Sequence, residues 1–77
     1  MPQNPISVDL RIYEDGRIRP LRIRWHDHIL PVDRLLDVRP GASLKIGCAG
    51  TRYTCRIQNQ QVYLYNDDKL WFIEYTE

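Results

Sequence analysis

At 77 residues, with 11 Lys and Arg against 10 Asp and Glu, the chain has room for one core and no global charge to steer it toward nucleic acid or an anionic membrane. No run approaches the roughly 20 apolar residues of a membrane span. The opening Met1-Pro2-Gln3-Asn4-Pro5 also lacks the basic and apolar regions of a signal peptide, so a cytoplasmic protein is expected.

Residues 1–5 read as a disordered lead-in, because two prolines and two amides offer nothing to bury, and residues 6–77 read as a single small β domain. From Ile6 onward apolar residues recur with period two between short turn signals, the mark of an antiparallel meander. Asp15-Gly16 supplies the positive φ angles of a two-residue turn, so Ile6 to Glu14 should pair with Arg17 to Trp25. That register faces Leu10 with Leu21, Val8 with Ile23, Ile6 with Trp25 and Asp9 with Arg22. It fails only where Ile12 would meet Arg19, and a bulge near Arg19-Pro20 would repair it.

After a polar turn at His26-Asp27-His28, the stretch from Ile29 to Val38 alternates poorly and suggests a bent strand or one helical turn. Pro40-Gly41 marks a turn. Placing Ala49-Gly50 in a turn pairs Ile46 with Tyr53 and Leu44 with Cys55. Placing Asn59-Gln60 in the next pairs Cys55 with Leu64 and Ile57 with Val62. A last turn at Asp67-Asp68 sets Leu64 beside Trp71 and Val62 beside Ile73. The expected fold is all-β: a six-stranded antiparallel meander curled into a small barrel or roll of SH3-like size, with Leu10, Leu21, Ile23, Ile46, Cys55, Leu64, Trp71 and Ile73 in one core.

The run Tyr13-Glu14-Asp15-Gly16-Arg17-Ile18-Arg19-Pro20, then Trp25, Val32, Leu35-Leu36-Asp37, Tyr53, Arg56, Val62-Tyr63-Leu64-Tyr65 and Trp71, resembles a family of short bacterial all-β domains. Its members share an Asp-Gly turn, a proline, a tryptophan and a closing aromatic hairpin. The resemblance implies the fold and no chemistry. Where those relatives carry a second arginine- and tryptophan-rich loop this chain has Arg39-Pro40-Gly41-Ala42, so no binding role for that loop carries over.

Cys48 and Cys55 are expected to be free, buried thiols, because the hairpin register sets them about 13 Å apart, beyond the roughly 7 Å a disulfide spans. Cys-x6-Cys is also no zinc-knuckle spacing, and neither a metal nor another cofactor is expected. His26, Asp27 and His28 could serve a small metal-dependent or acid-base enzyme, yet no further ligands stand nearby and a polar turn explains them. Arg17, Arg19, Arg22 and Arg24 read as a solvated face rather than a phosphate-contacting stripe. The anomaly is the last two hairpins, which are apolar on both sides: with Val62, Leu64, Trp71 and Ile73 inward, Tyr63, Tyr65, Leu70 and Phe72 face outward, bordered by Arg56 and Lys45. The leading expectation is a non-enzymatic binding module using that outer aromatic face for a protein partner or a homodimer. Single-stranded nucleic-acid binding through Tyr63, Tyr65, Phe72, Arg56 and Lys45 is the alternative. A covering of the face by the N-terminal segment or by the Asp33 to Val38 segment, as a second core, is the bland one. No small-molecule substrate or membrane is implied.

Overall fold

The computed structural model describes residues 5–43, 48–68 and 70–75, without the side chains of residues 42, 43, 48 and 49. The described chain forms seven strands: β1 (Ser7–Ile12), β2 (Ile18–Trp25), β3 (His28–Pro31), β4 (Arg34–Ser43), β5 (Cys48–Ile57), β6 (Gln60–Asp67) and β7 (Leu70–Tyr75). They make two antiparallel sheets, β1-β2-β3 and β4-β5-β6-β7, rather than six strands in a closed barrel. The extra strand comes from the poorly alternating stretch after His28. There the chain crosses between sheets at Val32-Asp33, so what reads as one bent strand is the end of β3 and the start of β4, with no helical turn.

Asp33 is the joint. Its N–H donates to the Arg56 carbonyl and its carboxylate accepts the Gln58 N–H at 3.1 Å, while the Val32 N–H donates to Leu21. At the other side of the sandwich the Ile6 N–H donates to the Trp71 carbonyl, an isolated antiparallel bridge joining the two sheets. Ile6 therefore meets Trp71 and not Trp25.

The first hairpin keeps Val8 opposite Ile23 and Asp9 opposite Arg22, then shifts register so that Leu10 faces Pro20 and Ile12 faces Ile18. The bulged residue is Leu21, beside the proline that lacks a ladder donor, as the sequence suggests. The turn is one residue longer than expected. Gly16 N–H donates to the Tyr13 carbonyl and Tyr13 N–H to the Arg17 carbonyl, enclosing Glu14, Asp15 and Gly16, with Gly16 at φ 89°. A three-residue loop ending in a left-handed glycine is a standard alternative to the two-residue turn.

Pro40-Gly41 and Ala49-Gly50 are not turns. They lie inside β4 and β5 and pair with each other, Gly41 opposite Gly50, so Val38 rather than Ile46 faces Tyr53 and Leu35 rather than Leu44 faces Cys55. Leu44, Lys45 and Ile46, on which the sequence reading placed a strand and a core position, lie outside the described residues. Gly50 has φ 151°, and a Cβ there would overlap the Asn66 carbonyl oxygen, so close approach of β6 rather than a reversal demands the glycine. Pro40 is tolerated because β4 is an edge strand.

The later turns sit one residue away from their expected places: the first at Gln58-Asn59 instead of Asn59-Gln60, and the second past the Asp67–Leu70 pair instead of at Asp67-Asp68. Cys55 thus faces Val62, Tyr53 faces Leu64, and Leu64 faces Ile73. Each shift moves the pairing by two residues, which leaves every side chain on its expected face.

Those faces meet in one core. Ile23 from the small sheet packs with Tyr53, Cys55, Ile57, Val62, Leu64, Trp71 and Ile73 from the large one, flanked by half-buried Ile6, Val8, Leu10, Ile18, Leu30, Val32 and Leu35. Leu10 and Leu21 are only half-buried. Tyr53 and Trp71 add a tilted aromatic pair at 5.1 Å, a contact worth about 0.5–1.5 kcal/mol beyond its buried area.

Candidate functional site

The large sheet turns Arg34, Asp37 and Arg39 of β4, Arg52, Thr54 and Arg56 of β5, Tyr63 and Tyr65 of β6, and Leu70, Phe72 and Glu74 of β7 away from the core. The corrected register regroups them. Phe72 stands beside Tyr65 rather than Tyr63, Glu74 beside Tyr63, and Leu70 beside Asp67, while Tyr63 faces Thr54 and Arg56 faces Gln61. Lys45 lies outside the described residues.

A small aromatic cluster results. Tyr65 is 4 % exposed and packs with half-buried Tyr63 and Phe72. Tyr63 and Tyr65 meet edge-on at 6.2 Å. The Arg52 guanidinium lies over the Tyr63 ring at 4.7 Å, and its Nε is buried without a hydrogen-bond partner among the described residues. Gly41 makes room for this, since a Cβ there would stand 2.9 Å from the Arg52 Cβ. Burial raises the Tyr65 hydroxyl above its ordinary 10.0, with the Glu74 carboxylate adding to the rise and Arg52 opposing it.

Every residue of this cluster belongs to the one sheet. The Asp33 to Val38 segment does not fold over it but enters β4 as a neighbouring strand, and the N-terminal residues 1–4 lie outside the described residues. Leu70, half exposed, extends the apolar surface toward the β6–β7 turn.

The charges around the cluster are divided, which the sequence reading missed because it placed neither Arg34 nor Arg39 on this face. Arg34 stands directly opposite Arg56, and Arg39 opposite Arg52, with Asp37 bound to Arg39 at 2.6 Å. The β4–β5 half is therefore basic. Among the described residues, Asp67 and Glu74 make the β6–β7 half acidic.

The other sequence candidates are dispersed. His26 and Asp27 form the β2–β3 turn, with His26 at φ 56° and stacked on Trp25 at 5.5 Å, while His28 opens β3. Both imidazoles are exposed, beside a 290 Å³ depression also lined by Trp25, Leu30 and Gln58. Among the described residues no group of three or more His, Cys, Asp or Glu could hold a metal ion.

Cys48 and Cys55 share strand β5, seven residues apart, so their Cα atoms are separated by about 20 Å, farther than expected and again beyond a disulfide. Burial pushes the Cys55 thiol up to about 12, leaving it a protonated, weakly nucleophilic hydrophobe. A half-open cleft of about 700 Å³ lies between the β1–β2 loop and the core side of β4–β5, lined by Tyr13, Arg17, Ile18, Leu35, Val38 and Tyr53 among others.

Compared with known protein families, curated proteins and solved structures, the chain matches none.

Proposed function

We propose that the chain is a non-enzymatic binding module that self-associates through the outer face of the β4–β7 sheet. The observation that carries this reading is the division of charge about an aromatic centre. Arg34, Arg39, Arg52 and Arg56 lie on one half and Asp67 and Glu74 on the other, with Tyr63, Tyr65 and Phe72 between them.

Sheets that pack face to face keep their strands within about 30° of one another. A two-fold axis running along the strands then lays the basic half of one protomer on the acidic half of its partner, bringing the two aromatic clusters together at the centre. That is the self-complementarity an isologous dimer requires, with apolar contact inside and charge at the rim. Nucleic-acid stacking on this face is the weaker use of it, because Arg52 already covers the Tyr63 ring and Asp37 neutralises Arg39.

Sedimentation equilibrium tests the reading. The chain should dimerise with rising concentration, and Tyr63→Ser or Phe72→Ser, half-buried and outside the main core, should return it to a folded monomer. The chain substituted R34E should fail to dimerise alone, as should E74R, which the two-fold axis brings within one two-residue step of the partner's Arg34, yet a mixture of the two should restore a dimer. A wild-type chain that stays monomeric throughout, or a mixture that does not associate, would overturn the proposal.

A further inference from the structure

The core is open at one corner. The large sheet has four strands and the small one three, and the shortfall in cover falls on β4. Val38 shares the core side with Tyr53, its partner across the ladder, yet Val38 is 46 % exposed where Tyr53 is 5 %. The cleft of about 700 Å³ between the β1–β2 loop and this corner therefore has an apolar floor: Tyr53 belongs to the core, Ile18 and Leu35 flank it, and Val38 forms the outer margin.

The rim of the cleft is basic. Arg22 and Arg24 share Asp9 at 2.7 and 3.3 Å, whereas Arg17 and Arg19 line the cleft, so the four arginines do not form the single solvated face that their sequence suggests. Arg17 is neutralised by Asp15 at 2.7 Å and its guanidinium lies 5.7 Å from the Tyr13 ring. Arg19 has no carboxylate partner among the described residues, and no described Asp or Glu lines the cleft. The Arg19 charge also reaches inward: burial raises the Cys55 thiol, and Arg19 opposes that rise. One unpaired guanidinium thus stands over an apolar recess.

We propose that the cleft binds a small monocarboxylic acid with an apolar body, its carboxylate on Arg19 and its body against Ile18, Leu35, Val38 and Tyr53. A planar guanidinium takes a carboxylate through paired, charge-assisted hydrogen bonds. One unpaired cation matches one negative charge, whereas a dianion or polyanion would lack a second free cation. Clefts of about 300–1,000 Å³ with an apolar lining and a few placed polar groups are the kind that hold such ligands. Burying the exposed Val38 side chain under the ligand adds to the gain. The site lies on the core side of β4–β5, away from the outer face proposed for self-association, so the two readings stand or fall separately.

Titration of the full chain with octanoate, followed by calorimetry and by backbone amide NMR shifts, tests it. Binding should saturate at one ligand per chain, with the shifts concentrated on residues 17–19, 35–38 and 51–53. Octanol and octyltrimethylammonium carry the same tail without the negative charge and should bind about tenfold more weakly or worse. Arg19→Gln should weaken octanoate by about tenfold and leave octanol unchanged. Val38→Asp, at an exposed position, should abolish octanoate binding while the spectrum keeps the dispersion of a folded chain. Tyr63→Ser should bind octanoate as the unaltered chain does. Overturning results are no saturable binding of octanoate, equal binding of octanol or octyltrimethylammonium, undiminished octanoate binding by Arg19→Gln, or shifts confined to the outer face. Displacement of octanoate by an equal concentration of acetate or inorganic phosphate would also overturn the proposal, because the apolar floor would then contribute nothing.

Discussion

Cys55 has no exposed surface, and its thiol is held in the protonated form by burial among Tyr53, Val62 and Leu64. Alkylation requires the thiolate, so Cys55 should resist iodoacetamide at pH 8 in the native chain and react only through opening of the sheet. Peptide mapping after timed alkylation, with Cys48→Ser to remove the other thiol, should give a rate that follows global unfolding; rapid native-state labelling would contradict it. At the residue scale the sequence was most legible where burial follows from alternation alone: Ile23, Cys55, Leu64, Trp71 and Ile73 are all in the core. It was least legible where identity depends on a neighbour in space. Nothing local to Arg52 announces that its guanidinium lies on Tyr63, because that contact needs both the β5–β6 register and the glycine at position 41.

For the elements, the shifts of the two C-terminal hairpins have a common cause. Moving a pairing by two residues preserves the inward and outward faces, so hydrophobic patterning cannot distinguish the two registers, and only the turn residues can. Gln58 and Asn59 both adopt positive φ, 53° and 61°, a type I′ geometry for which Asn-Gly is the preferred pair. Replacing them with that pair, Gln58→Asn and Asn59→Gly, should raise stability by about 0.5–1 kcal/mol, read as a higher denaturant midpoint at unchanged slope. No gain, or a loss, would mean that the turn is held by its contacts and not by its backbone preference. The error at Pro40-Gly41 and Ala49-Gly50 has a different origin. Glycines placed for close approach look, in sequence, like glycines placed for reversal, and the carbonyl of Asn66 that decides between them lies on another strand.

Across the whole molecule, period-two patterning identified an all-β domain, whereas the division into two sheets was hidden because it rests on Asp33, whose two hydrogen bonds reach Arg56 of β5 and Gln58 of the turn after it. The electrostatics of the small sheet are similarly long-range in sequence. Hydrogen bonding from Arg24 holds the Asp9 carboxyl below its ordinary 3.8; desolvation opposes it, and hydrogen bonding from Arg22 adds a further lowering. A depressed carboxyl contributes stability that is complete above its unfolded value and is lost as pH falls through the folded one. Thermal midpoints should therefore drop as the pH goes below 3.8, and Asp9→Asn should flatten that part of the profile; Asp15, lowered chiefly by the Arg17 backbone N–H, accounts for a share of what remains. A profile unchanged by Asp9→Asn would remove the Arg22–Asp9–Arg24 contact from the stability of the sheet. The Ile6–Trp71 bridge bears on how the protein is made. Because Ile6, just before the first strand, donates to a carbonyl of the last, a chain emerging from the ribosome must hold β1 to β3 with one margin open until β7 has been released. Over that interval Ile6, Val8 and Leu10 lack most of the core that shields them, which makes the nascent hairpin, rather than the finished domain, the species most exposed to chaperones and to aggregation.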